Sequence, residues 1–175
     1  MEVIKGSENI SADLRGAVVT IGNFDGVHLG HRQLFRRLVA EARKVQRPAV
    51  VISFEPHPKS VLHPERRPFY LITSLEEKIR HIAALGVDAL ILIPFSLAYA
   101  RTTAAEFIDQ FLWEKLAIWK IIIGHDYTFG QGKEGSAAYL SEAGRRLGFA
   151  VEMLGAVQLG DTTISSTRIR EAILG

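Results

Sequence analysis

The chain has 175 residues, 47% hydrophobic and 23% charged, with a net charge of +2 and no cysteine. That suits one buried core and is cramped for two domains; the small net charge argues against nucleic acid as a partner, and the lack of thiols removes disulfides, zinc–thiolate sites and thiol catalysis. No apolar run reaches the ~20 residues of a membrane helix and MEVIKGSENI has no signal-like core, so a cytoplasmic setting with no membrane partner is expected.

Ala17 to Gly22 reads as a strand, after which Leu34, Phe35, Leu38, Val39, Ala42 and Val45 fall on one helical face. AVVISF, Ala49 to Phe54, is a second strand of the buried type. TSLEEKIRHIAALG supplies Ser74 as N-cap with Glu77 three residues on, an apolar face of Leu75, Ile79, Ile82 and Ala83, and Gly86 as terminator. DALILIPF is a third strand. Thr103 with Glu106 opens a helix that turns Phe107, Ile108, Phe111 and Leu112 inward, and AIWKIIIG, Ala117 to Gly124, is a fourth strand. A helix over about Ser136 to Leu147 stops at Gly148 before FAVEML; a last one begins near Ser165, with Ile169, Ala172 and Ile173 as its apolar face. Continuous apolar strands separated by helices predict βαβ units. The expected fold is α/β: a single doubly wound, Rossmann-like domain over residues 1–175 with a mostly parallel central sheet.

Two irregular stretches, Glu55 to Tyr70 with four prolines and Gly124 to Ser136, follow strands expected to be central. Ligands of open parallel sheets bind beyond the carboxyl ends of the strands, so both loops should share a rim with the turn after the first strand. That turn carries Gly22 at the strand end, a Phe24 to Gly26 reversal around Asp25, and His28 and His31 near the first turn of the helix. Free amides and the positive dipole end of a helix attract an anion, most naturally phosphate; two imidazoles three positions apart can face it, and Gly30 leaves room for a ligand against the backbone. Surface histidines on a glycine-rich turn are the ordinary alternative for either histidine alone. Convergence of His28, His31 and His57 on a metal is a third reading, but no acidic spacing completes a zinc set, and no metal ligands are expected.

Ser165 or Ser166 is a natural N-cap for the last helix, which puts Arg168 in a first turn where a cation opposes the dipole unless an anion is bound. His57, between Pro56 and Pro58, is either a constrained ligand contact or an exposed residue on a stiff turn. Phe54 and Phe129 either flank an aromatic ring system or belong to the core. Gly130 to Gly135 matches G-x-G-x-x-G, with Glu152 about 20 residues on. His125 to Phe129 separate it from the strand end, and Lys133 is followed by glutamate, so neither a dinucleotide fingerprint nor a P-loop is expected.

Four segments, FDGVHLGH (Phe24 to His31), FEPHP (Phe54 to Pro58), GHDYTFGQGKEG (Gly124 to Gly135) and ISSTRIREAI (Ile164 to Ile173), together resemble the FMN adenylyltransferase family. This is the FAD synthetase module of bacterial bifunctional riboflavin kinase/FAD synthetases; H-x-G-H alone marks only the wider nucleotidyltransferase superfamily. The resemblance implies an enzyme that transfers AMP from ATP to FMN, giving FAD and pyrophosphate, with Mg²⁺ accompanying ATP and small-molecule nucleotides as partners. It implies that His28 and His31 are catalytic contacts to the ATP phosphates, and that Gly22, Phe24, Asp25, Gly30, Ser165, Ser166, Thr167 and Arg168 form the rest of the phosphate side. Phe54, His57, Pro58, Gly124, Asp126 and Phe129 would lie near flavin or adenine. Thr128 stands where the family often has arginine, so that contact is either missing or supplied by Lys133. The riboflavin kinase domain of the bifunctional proteins is expected to be absent from these 175 residues. A different acceptor, or a flavin- or nucleotide-binding module without chemistry, are the alternative functions.

Overall fold

The apolar runs become the strands of one sheet. The computed structural model describes residues 1–66 and 70–174, so the part of the Pro-rich stretch at 67–69 lies outside the described residues. The strands are β1 (Glu2–Lys5), β2 (Val18–Ile21), β3 (Ala49–Glu55), β4 (Ala89–Pro94), β5 (Lys120–Gly124) and β6 (Ala150–Leu154). Their order is β1-β4-β3-β2-β5-β6, and every neighbouring pair is parallel. A separate antiparallel hairpin joins β7 (Gln158–Leu159) to β8 (Thr162–Thr163). From β2 the chain builds outward through β3 and β4, then returns to add β5 and β6 on the other side. The crevice for a ligand therefore opens at the carboxyl ends of β2 and β5.

The helices are α1 (Leu29–Lys44), α2 (Pro58–Leu62), α3 (Leu75–Ala83), α4 (Ala104–Glu106), α5 (Ala137–Leu147) and α6 (Ser166–Leu174). Alternate strand residues serve opposite faces. Val18, Val51, Leu90 and Ile122 pack with Leu34, Phe35 and Leu38 of α1 and Ile82 of α3. Val19, Ile52, Ile91 and Ile121 pack with Ile108 and Leu112 beyond α4 and with Leu140 of α5. Helices on both faces explain why β3 could be apolar at nearly every position. Phe35 is fully buried in this packing, and its truncation to alanine would cost about 3–5 kcal/mol.

Both expected caps form: Ser74 and Glu77 make a reciprocal capping box, and the Thr103 hydroxyl accepts the Glu106 amide. Other local expectations change. β1 carries no strand signal in the sequence, because only Ile4 of its four residues is buried and the pattern is too short to mark an edge strand. After Glu106 the helix is π-wound over Phe107–Lys115 and closes with the Leu116 amide on the Phe111 carbonyl. The fourth expected strand starts at Lys120 because Ala117, at φ 42°, turns the chain. Ala83 of α3 is exposed, as are Ala172 and Ile173 of α6, so α6 has no buried apolar face.

Candidate active site

The turn after β2, the start of α1, the ends of β3 and β5 and the start of α6 surround two adjoining cavities. The first, about 270 Å³, is lined by Gly22, Asn23, His28, Gly30, His31, His57, Gly124, Ser165, Ser166, Thr167 and Arg170. The second, about 710 Å³, has Phe54, Pro58, Phe95, Tyr99, Phe107, Thr128, Phe129 and Lys133 on its wall. Asn23, Lys59, Asp126 and Tyr127 line both.

His28 is the N-cap of α1. Its Nδ1 accepts the amides of Gly30 at 3.1 Å and His31 at 3.4 Å, which places the ring proton on Nε2. His31 stacks on His28 with centroids 3.5 Å apart, and Phe24 packs edge-on against His31 at 5.2 Å. This changes how the motif works. Two first-turn amides expected to be free for an anion are taken by His28, and the space expected over Gly30 is filled, since a Cβ there would sit 2.9 Å from the His28 ring. Glycine at 30 lets the imidazole fold back over the helix end. The helix dipole then reaches the cavity through an imidazole rather than through bare amides. Burial lowers the pKa of His28; burial, followed by the charges of His28 and Lys78, pushes His31 down to about 2. Both rings are neutral N–H donors at pH 7. The Nδ1 of His31 is buried and has no partner among the described residues.

Phe24 and Asp25 were expected on the phosphate side, and their side chains do other work. Phe24 is buried and also meets the ring of Phe35. Asp25 borders the first cavity, yet its carboxylate accepts the amides of Ile72 and Thr73 and the guanidinium of Arg170, while its carbonyl accepts the Ser166 hydroxyl at 2.7 Å. A carboxylate so engaged ties the turn to α6; free, it would repel a polyphosphate. Arg168 is exposed and off the cavity wall, its amide held by the Ser165 hydroxyl. Arg170 is the arginine on the wall, because two residues along an α-helix lie more than half a turn apart.

His57 caps α2, its Nδ1 accepting the Lys59 amide, and lines the first cavity rather than the aromatic one. Phe54 and Phe129 are both buried and on the second wall, so core and cavity readings hold together. Gly130 to Gly135 packs onto the start of α4: the Gln131 amide donates to the Thr102 carbonyl, and the Glu134 carboxylate accepts the Ala104 amide. Glu152 is held by Arg37 and Lys120 at 2.8 and 2.9 Å, which leaves the glycine pattern without its acidic partner. Sequence reasoning missed Asn23, Lys59, Tyr127 and Arg170 on the cavity walls. Arg170 follows a more conspicuous arginine, so it carried no signal of its own. Among the described residues no group of three or more His, Asp or Glu could hold a metal, and no helix is long and apolar enough to cross a membrane.

Residues 10–168 match the family described as FAD synthetase, a span that takes in both histidines, the aromatic cavity and the start of α6. The chain belongs to the FAD synthetase family. The bifunctional riboflavin kinase/FMN adenylyltransferase of Escherichia coli K12 is 40% identical over 174 residues, which is 99% of this chain and 55% of the relative. That of Haemophilus influenzae is 38% identical over 173 residues, 99% of this chain and 56% of the relative. The chain thus spans about half the length of the curated relatives it matches. Among solved structures, a macrolide-efflux protein from Streptococcus pneumoniae is 34% identical with a TM-score of 0.84, covering 99% of this chain and 56% of that one. Pantothenate synthetase from Thermus thermophilus, 18% identical with a TM-score of 0.59, is matched over 97% of this chain and 67% of its own and shares the fold with this FAD synthetase family member.

Proposed function

We propose that this chain is an FMN adenylyltransferase, transferring AMP from ATP to FMN to give FAD and pyrophosphate. The observation that carries this reading is the joined pair of cavities: a polar one between the stacked imidazoles and the start of α6, and an aromatic one suited to a flavin ring, with Asn23, Lys59, Asp126 and Tyr127 common to both. The ATP phosphates occupy the first, the flavin the second, and the reacting phosphates meet between them. Membership of the FAD synthetase family and relatives named as FMN adenylyltransferases support the same assignment.

An oxygen of the FMN phosphate attacks the α-phosphorus of ATP in line. The bond from that phosphorus to its bridging oxygen breaks, and pyrophosphate leaves with the electron pair. A phosphate monoester is already an anionic nucleophile, so no general base is needed. Catalysis falls to positioning and to donors fixed in advance. The His28 cap and the His28–His31 stack fix two imidazole N–H donors at the cavity wall. The start of α6, with the hydroxyls of Ser165 and Thr167, receives the outer phosphates, while the Ser166 hydroxyl holds the Asp25 carbonyl. Asp126 is a carboxylate on both walls, a donor set that fits Mg²⁺ held chiefly by phosphates and water; when bound, the ion neutralises triphosphate charge. Pyrophosphate release from ATP, measured with FMN, with riboflavin and without acceptor, tests the assignment.

A further inference from the structure

Behind the turn that borders both cavities lies a cation with no role in the mechanism above. Lys78 of α3 is 7% exposed; its Nζ donates to the Asn23 carbonyl at 2.8 Å and to the Ser53 hydroxyl at 2.6 Å. The Ser53 hydroxyl in turn donates to the Asn23 carbonyl at 3.2 Å. Among the described residues no carboxylate lies within ion-pair distance of Nζ. Asp25 and Glu55 are the acidic groups whose charges favour the ammonium, and His31 and His57 are the imidazoles whose protonation it opposes; Lys59 and Arg170 also act on His57. Burial lowers Lys78 to about 8.

An ammonium buried without a counter-ion weakens a fold, and an apolar side chain of similar size usually suits such a site as well or better. The turn would not come loose without it, because Ser53 still holds the Asn23 carbonyl. What the charge meets is the Asn23–Phe24 peptide. In a planar trans peptide the N–H points opposite to the carbonyl, so holding this carbonyl from one side directs the Phe24 amide to the other. The amides of Asn23, Phe24 and Asp25 have no hydrogen bond among the described residues.

We propose that Lys78 is a positioning residue for adenylyl transfer: its ammonium shares the Asn23 carbonyl with the Ser53 hydroxyl and provides behind that peptide a buried positive charge that is compensated when the transferring phosphates occupy the junction. This rests on the adenylyltransferase reading. The fold thus carries a destabilising charge whose benefit appears on turnover.

The test compares the chain with Lys78→Met, which keeps length and bulk and removes the charge. Three readings are taken: melting temperature, pyrophosphate release with ATP and FMN, and proton uptake at pH 8 on binding a non-hydrolysable ATP analogue with FMN, from calorimetry in two buffers. The expected variant melts at the same temperature or higher, loses kcat by about 10- to 100-fold with little change in either KM, and lacks the proton uptake of the parent. A kcat within twofold of the parent, uptake equal to the parent's, or loss of folding together with activity overturns the proposal. Should the parent release no pyrophosphate with FMN, the functional reading fails, and proton uptake alone decides the role of Lys78.

Discussion

Asp25 and Arg170, 145 residues apart in the chain, form an ion pair at the edge of the first cavity with side chains only 4% and 12% exposed. The same arginine donates to the Tyr70 carbonyl, and the Ser166 hydroxyl donates to the Asp25 carbonyl. The start of α6 is thereby tied to the turn that carries the histidines. Arg170→Ala leaves a buried carboxylate short of its cation, so a loss of about 3–5 kcal/mol is expected in urea unfolding, with a raised KM for ATP. Arg168→Ala, on an exposed side chain, should stay within about 0.5 kcal/mol of the parent. Equal losses from the two variants would contradict the tie.

The cap that His28 provides and its proposed contact with the phosphates can be separated by substitution. His28→Ala removes the cap and should cost about 1 kcal/mol of stability along with a fall in FAD formation of ~10²-fold. His28→Asn retains a capping oxygen: stability should recover while the rate does not. Recovery of both would mean that the imidazole is only a cap.

The buried imidazoles predict acid sensitivity. Folded pKa values of about 2 for His31 and about 4 for His57 lie below the unfolded value of 6.5. Below pH 6.5 the unfolded chain therefore binds protons that the folded chain refuses. Each histidine should remove up to about 1.4 kcal/mol per pH unit, down to its folded value. Lys78 acts on the alkaline side: lowered from 10.5 to about 8, it weakens the fold fully below pH 8, and about 3 kcal/mol of that penalty disappears as pH rises towards 10.5. Urea midpoints at pH 5, 7.5 and 10 for the parent, His31→Asn and Lys78→Met check both signs. An acid limb as steep in His31→Asn as in the parent, or a parent-to-Lys78→Met gap that does not change with pH, would contradict them.

The glycine pattern at Gly130 to Gly135 should give no saturable NAD(H) binding, since its backbone packs on α4 and Glu152 is held by Arg37 and Lys120. Binding that is lost in Gly132→Val and is not competed by ATP would revive a dinucleotide site.

Much of this architecture was legible because periodicity and capping act locally. Ser74 with Glu77 and Thr103 with Glu106 placed two helix starts correctly, and the unbroken apolar runs gave β3, β4 and β5. What escaped depends on contacts far apart in sequence. β1 exists through pairing with β4, and the π-winding after Glu106 depends on how Phe107, Ile108, Phe111 and Leu112 meet the sheet. The same divide runs through the site. H-x-G-H announced both histidines, but nothing local says that His28 caps its own helix, since imidazole is not an ordinary capping group. The resemblance places Asp25 on the phosphate side, but its pairing with Arg170 depends on a residue 145 positions away, and nothing local marks Lys78, whose burial depends on α3 packing beside Ser53.

Side-by-side measurement of pyrophosphate release from ATP with FMN, with riboflavin and without acceptor tests the central claim most directly. The joined cavities predict release that depends on FMN, with FAD formed in equal amount, little release with riboflavin because it lacks the attacking phosphate, and loss of ~10²-fold in His31→Ala. Tight FMN binding with no FMN-dependent pyrophosphate release, or an unchanged rate in His31→Ala, would contradict it.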